Sequence, residues 1–504
     1  MKLKTLFLLS LLIFPLGMPA QSIAELQKKA DGGDAEAMSQ LSFKYCNGEG
    51  VEKNYQKAVE YMQKAAEKGL PNAFLHLAEH YENGQGLPKD TAMAIVYFKK
   101  AAEGKSSAVR SQAAYKIGYL LYFGKGGCPK DYAEAAKWLK QSSYKYANYY
   151  LGWQYATGNG VEKDEKKACD LYHRSAYEGV EDAFRNLKTY ADRGVDYAMY
   201  FMGGYYSVME NREKDQTKAD EYRKEKIQWY EKAAIKGYAE AASTLGTLCY
   251  NDDDYEKAVK WYSIAAEKND IDAIESLAEM YLNGEGVNVD FKEAARLADK
   301  AILLFNEKYP DGGGSQANVV LGHCYRYGLG VEKDEKKAFM YYSNYDGPEG
   351  VFNQADCYAN GIGTQKDYKK AMEKYEEAAE MGAFYYTFEL AMTYYNGEIT
   401  SQDYKKAFEM FTDMAEAWDY YGYGFYGLGM MYYHGKYVKQ DFKKAFDYLT
   451  TASTTETPAA EAMRLLSRCY EYGLGTAKDP EKAKYWMEMA AKNGDEKAWR
   501  VIKN

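Results

Sequence analysis

The sequence predicts an all-α solenoid built from stacked helix pairs, and three observations carry that prediction. The nonapeptide Gly-Val-Glu-Lys-Asp-Glu-Lys-Lys-Ala at 160–168 recurs word for word at 330–338. Around each copy a glycine-bounded turn and an aspartate return about every 34–37 residues, the period of an array whose units bury their apolar faces only against neighbours. Within a unit, apolar and small residues keep helical spacing, as Ala147, Leu151, Gly152 and Tyr155 do at i, i+4, i+5 and i+8. A chain of 504 residues would otherwise suggest several globular domains, but the core of an array is a strip and escapes that rule.

The unit at 147–180 shows how each element arises. Its first helix, A, carries the face just named and ends at Gly158 and Gly160, because glycine takes the left-handed conformation of a helix C-terminus without steric cost. Asp164 then stands where its carboxylate can cap the first amides of a second helix, B, and Glu165 adds favourable charge at that positive end. Helix B turns Ala168, Leu171, Tyr172, Ser175 and Ala176 inward and stops at Gly179.

Read in order, the chain opens with Lys2 and Lys4, an apolar run from Leu6 to Leu16, and Gly17-Met18-Pro19-Ala20, the outline of a cleavable export signal over residues 1–20. That run is shorter than the ~20 residues of a membrane span. Export to the periplasm, cell surface or medium, without membrane insertion after cleavage, is therefore expected. Residues 21–33 are expected as a capping helix, 34–180 as four regular repeats, and 181–237 as an irregular repeat in which the charged insertion Glu210–Lys226 replaces the glycine turn. Repeats 6–12 follow over 238–494, with a partial capping helix at 495–504. The insertion and the run Gly312-Gly313-Gly314 are the expected joints. Repeats 10 and 11 lack the second glycine, at Gly397-Glu398-Ile399 and Gly435-Lys436-Tyr437.

Once residues 1–20 are set aside, 63 basic and 74 acidic side chains leave a net charge of −11. Such a surface argues against nucleic acid as a partner, since phosphate neutralisation needs a basic face. The 53 tyrosines are a heavy excess, suited both to layers between helices and to contact surface. Of the seven cysteines, Cys324, Cys357 and Cys469 share one position in helix A. Equivalent positions in adjacent repeats lie ~8–10 Å apart, beyond the ~7 Å reach of a disulfide. The cysteines read as buried small apolar residues.

The full pattern, A-x-x-x-L-G-x-x-Y-x-x-G-x-G-V-x-x-D-x-x-K-A-x-x-x-Y-x-x-A-A-x-x-G, resembles the Sel1-like repeat, a relative of the tetratricopeptide repeat, from Asp34 to near the end of the chain. The resemblance implies a right-handed superhelix of antiparallel helix pairs and a role as adaptor or scaffold in protein complexes; it assigns no chemistry, and no catalysis, metal or cofactor is expected. It also implies that helix A lines a concave face, its residues two before and two after the Leu-Gly leucine pointing inward. Those positions hold Tyr115 and Tyr119, Tyr149 and Trp153, Tyr200, Tyr426 and Met430, and Arg464 and Arg468. Aromatics with a few arginines are the residue types that carry interface energy.

Three motifs compete with that reading. His76-Leu77-Ala78-Glu79-His80 matches the H-x-x-E-H of one zinc-protease class but sits on ordinary variable positions of a helix A. Gly422-Tyr423-Gly424-Phe425-Tyr426-Gly427 fits the dinucleotide fingerprint, yet joins two helices where the fingerprint needs a preceding strand. Ser142-Ser143-Tyr144-Lys145 fits the S-x-x-K of penicillin-binding enzymes without the companion S-D-N and K-T-G segments. The leading expectation is thus an exported scaffold that binds a protein or peptide. A binder of cell-wall glycan, using the same aromatics to stack on sugars, comes second, and a β-lactam-active hydrolase third.

Overall fold

The computed structural model describes residues 22–382, 384–417 and 421–503, so the export signal expected at 1–20 lies outside the described residues. The chain is an all-α solenoid of helix pairs in two compact units, Met1–Ala241 and Ala242–Asn504. In the first unit α1 (Ile23–Asp31) precedes the A–B pairs α2 (Ala35–Asn47) and α3 (Tyr55–Glu67), α4 (Pro71–Asn83) and α5 (Thr91–Ala102), α6 (Ser107–Phe123) and α7 (Tyr132–Lys140), α8 (Lys145–Thr157) and α9 (Glu165–Tyr177). The single helix α10 (Glu181–Asp192) and the pair α11 (Asp196–Arg212) and α12 (Gln216–Ile235) follow.

The division between units falls inside α13 (Ala239–Asn251), which pairs with α14 (Tyr255–Glu267). Then come α15 (Ile271–Asn283) and α16 (Phe291–Lys308), α17 (Ala317–Tyr327) and α18 (Glu335–Ser343), α19 (Pro348–Asn360) and α20 (Tyr368–Glu380). The last pairs are α21 (Phe384–Asn396) and α22 (Tyr404–Ala417), α23 (Gly422–His434) and α24 (Phe442–Thr454), α25 (Ala460–Tyr472) and α26 (Pro480–Lys492), before α27 (Glu496–Lys503). No helix among the described residues is long and apolar enough to cross a membrane.

The glycine pair of the repeat has two separate jobs. Gly158 ends α8 at φ 75°, its N–H donating to the Gln154 carbonyl. Gly160, at φ 71°, lies where a Cβ would come 2.2 Å from the backbone carbon of Tyr132, the first residue of the preceding helix B. One glycine closes a helix; the other lets successive repeats touch. In repeat 11 the second glycine is replaced by Tyr437, which adopts the left-handed φ of 61° itself.

The aspartate and lysine of the repeat then tie helix B to helix A. Asp164 accepts from the Lys167 N–H at 2.9 Å, while its own N–H donates to the Tyr155 carbonyl at 2.9 Å. Lys167 Nζ sits 4.8 Å over the Tyr155 ring. The same lysine–tyrosine stack recurs in the second unit, at Lys337 on Tyr325, Lys370 on Tyr358, Lys406 on Tyr394, Lys444 on Tyr432 and Lys482 on Tyr470. Inside the pair, Gly152 leaves room for the Tyr172 ring, which is 3.0 Å from where a Cβ would stand.

Two expected joints are built differently from a flexible link. The charged segment 210–226 extends α11 and α12 into a longer hairpin, and Lys226, 8% exposed, donates to Glu210 across it at 2.6 Å. The glycine run after α16 is anchored: the Asp346 N–H donates to the Gly313 carbonyl, and Gly314 packs against Asn344. No disulfide joins the seven cysteines, all of them among the described residues; Cys169, Cys324, Cys357 and Cys469 are buried as expected, whereas Cys46, Cys128 and Cys249 are only partly so.

Candidate functional site

Consecutive A helices lie side by side, α4 against α6 and α6 against α8 in the first unit, α15 against α17 and α17 against α19 in the second. A-helix positions therefore form a continuous face over α4–α8 and over α15–α19, which ring contacts of Phe352 with Tyr386 and of Phe388 with Tyr423, and the packing of α23 on α25, carry on to α25. In the first unit that face is aromatic. Tyr115 packs against Tyr144 with ring centres 4.6 Å apart and planes tilted by 43°, and Tyr119 lies edge-on to Tyr150 at 5.5 Å. Tyr149 meets Tyr150 at 5.1 Å and Tyr172 at 6.1 Å, and Trp153, 41% exposed, lies 6.2 Å from Tyr122.

Tyr150 joins these groups and was missed by a rule that took only positions two before and two after the leucine. Its ring also reaches Tyr122 at 5.7 Å and Phe123 at 5.4 Å. Burial among the rings pushes the Tyr122 hydroxyl up to about 12 and raises those of Tyr115 and Tyr150. They stay neutral hydroxyls at physiological pH. Lys125 donates to the Tyr119 hydroxyl at 2.6 Å. Tyr200 belongs to a separate cluster, with Tyr238 at 5.2 Å and Tyr230 at 5.5 Å.

Three of the expected contact residues in the second unit are internal. Tyr426 and Met430, 8% and 6% exposed, belong to the core with Phe388 and Phe411. The reason is the glycine content of α23: a Cβ on Gly427 would stand 2.3 Å from the Phe411 ring, so the helix sinks between its neighbours. Those six glycine-rich residues, expected to join two helices, begin within α23 itself. Arg464 donates from Nε to Asp495 at 2.7 Å, a nearly buried pair that holds the N-cap of α27. Arg468 is exposed.

What the second unit presents on its A helices is carboxylate. Glu275 and Glu279 on α15, Glu349 on α19, Glu389 on α21 and Glu461 on α25 are all partly buried. Ser315 donates to Glu275, and Gln316 donates to Glu279 at 3.1 Å. Burial, with Glu349, Glu275 and Glu285 nearby, pushes the Glu279 carboxyl up to about 7, and burial also raises Glu275, Glu349 and Glu389. Oε2 of Glu461 is buried without a hydrogen-bond partner. Helices α15, α17, α19, α21 and α23 contain no lysine, and their single arginine, Arg326, pairs with Asp356. Glu275 and Glu279 flank Leu277 by two on either side, so the same positional rule finds them once carboxylates are sought along with aromatics.

The competing motifs dissolve into local structure. His76 faces Glu79 at 3.1 Å, whereas buried His80 directs Nδ1 to the Gln85 carbonyl at 2.7 Å and Nε2 toward Cys46 Sγ at 3.6 Å. Ser142 donates to the Ser111 carbonyl at 2.7 Å, and Lys145 to the Glu178 carbonyl at 3.5 Å, so serine and lysine serve different partners.

A family model described as Sel1 repeat matches residues 35–70, 75–106, 111–146, 145–180, 227–238, 239–270, 271–304, 315–343, 348–382, 386–417, 426–454 and 460–495. The chain belongs to the Sel1 repeat family. An uncharacterized protein of Neisseria meningitidis serogroup B, NMB1327, is 27% identical over 234 residues, 46% of this chain. The matched stretch spans 42% of that relative's length. Among solved structures, c5321, described as a protective antigen of uropathogenic Escherichia coli with an SLR fold, is 24% identical with a TM-score of 0.40, covering 95% of this chain and 88% of its own. A Sel1 repeat protein from Oxalobacter formigenes is likewise 24% identical, with a TM-score of 0.39 over 64% of this chain and 89% of its own. Sel1 repeat arrays are generally non-catalytic scaffolds that mediate protein interaction.

Proposed function

We propose that this Sel1 repeat protein is an exported scaffold that binds a protein or peptide partner along the A-helix face expected to be concave, with no reaction of its own. The observation that carries this reading is the aromatic surface on α6 and α8, where exposed Trp153 and half-buried Tyr115, Tyr119 and Tyr149 sit on a floor of packed rings. Rings held by their neighbours lose little entropy on contact, and aromatic side chains are the commonest anchors of protein interfaces. A crosslinking pull-down from the native envelope tests it: Tyr149→Ala with Trp153→Ala should abolish capture of the partner. Capture retained alongside lost binding to isolated cell-wall glycan would transfer the face to sugar stacking. Turnover of a β-lactam by the purified protein, lost on Ser142→Ala, would overturn both readings.

A further inference from the structure

We propose that the A-helix face of the second unit, from Glu279 on α15 to Glu461 on α25, docks an extended, lysine- or arginine-bearing segment of a partner protein. The assignment rests on the scaffold reading above and adds the chemistry of the partner. It begins with charge distribution. Residues 22–241 hold 33 basic and 31 acidic side chains, whereas residues 242–504 hold 30 and 43, so one unit is near neutral at +2 and the other carries −13.

Apart from the exposed Arg468 on α25, the cations nearest the A-helix face of the second unit are already engaged. Lys337, Lys370, Lys406, Lys444 and Lys482 stack on the tyrosines of their own repeats, at the starts of helices B. Arg326 is held by Asp356 and Arg464 by Asp495. The five carboxylates are thus left facing one another and a set of tyrosines. Tyr345 lies near Glu275, Glu279 and Glu349; Tyr385 and Tyr423 lie near Glu389 and Glu461. Tyr385 is 45% exposed. Partly buried carboxylates without a countercharge are costly, and Glu461 keeps a buried oxygen that accepts no hydrogen bond.

A basic segment relieves both deficits. Ammonium or guanidinium groups supply donors and countercharge, while their aliphatic stems and the ring faces of the tyrosines make contact through cation–π attraction. A helices recur ~8–10 Å apart and an extended chain advances ~3.3 Å per residue, so one cation about every third residue matches the ladder.

The test uses the whole chain and a fluorescein-labelled peptide repeating Lys-Ser-Ser, read by fluorescence anisotropy. The isosteric triple variant Glu275→Gln, Glu279→Gln, Glu349→Gln should bind roughly tenfold more weakly. At pH 8, a variant losing three carboxyls from exposed B-helix positions instead, Glu267→Gln, Glu373→Gln, Glu488→Gln, should stay within about twofold of the parent. Equal weakening in both variants would reduce the effect to bulk charge and overturn the assignment, as would a parent chain that fails to bind the peptide. Displacement of the peptide by calcium at matched ionic strength would give the face to a divalent cation and overturn it too. Because the probe is a defined peptide, failure here shows in the glutamine variants, whereas failure of the scaffold reading shows in the envelope pull-down.

Discussion

The two units are made from one repeat yet differ at the same helix positions, aromatic on α6 and α8 and carboxylate on α15. On α6 and α8 the positions beside the leucine hold Tyr115, Tyr119, Tyr149 and Trp153; on α15 the same positions hold Glu275 and Glu279. The difference teaches that the scaffold sets where a side chain points and leaves its type free. Leucine, glycine, aspartate, lysine and tyrosine are spent on turning, capping and stacking. The variable positions are what each unit offers a partner.

That contrast can be broken at its foundations first. Tyr172, 2% exposed, is the floor beneath Tyr149 and fills the space left by Gly152. Tyr172→Ala should cost about 4 kcal/mol in chemical denaturation, with hydrogen exchange speeding first in α8 and α9. If the aromatic face were held by its surface rings alone, the loss would be far smaller. Next, Arg464→Ala leaves the Asp495 carboxylate, 3% exposed, without its cation, and should cost about 3 kcal/mol. A neutral result would return Arg464 to the list of contact residues.

Glu279 sharpens the electrostatic side. Its native carboxyl holds a proton up to about pH 7 against 4.5 for the ordinary group, so the native state binds more protons over that interval. Stability therefore falls as pH rises from 4.5 to 7, and the penalty is complete above it. Glu279→Gln should gain about 1–3 kcal/mol at pH 8 and nothing at pH 4, measured by urea denaturation at both. A gain that ignores pH would point to packing. The smallest effect belongs to Trp153→Ala, below about 1 kcal/mol on stability, because the ring is largely outside the core; its consequence should appear in partner capture alone.

Much of the fold was legible because the repeat writes each local rule many times. Asp164 caps α9, and Asp90, Asp131, Asp290, Asp441 and Asp479 cap their own B helices in the same way. Period and capping chemistry are local, and they survive without knowledge of any neighbour. The candidate surface was read less well. Tyr426, Met430 and Arg464 stand at the right sequence positions, yet glycines in α23 and a carboxylate at the start of α27 draw them inside. Tyr150 stands one place off the rule and still becomes the hub of the aromatic cluster.

By itself the sequence determined the helix pairs, their turns, their caps and the acidic balance of the chain, since each follows from residues within one period of one another. Only the tertiary structure decided which variable side chains remain outside. It separated the turn glycine from the contact glycine, built the charged insertion as a hairpin closed by Lys226 and Glu210, and left five carboxylates of the second unit without cations. Exposure depends on how closely neighbouring repeats approach. That distance is set by side chains roughly thirty or more residues away, beyond the reach of any local pattern.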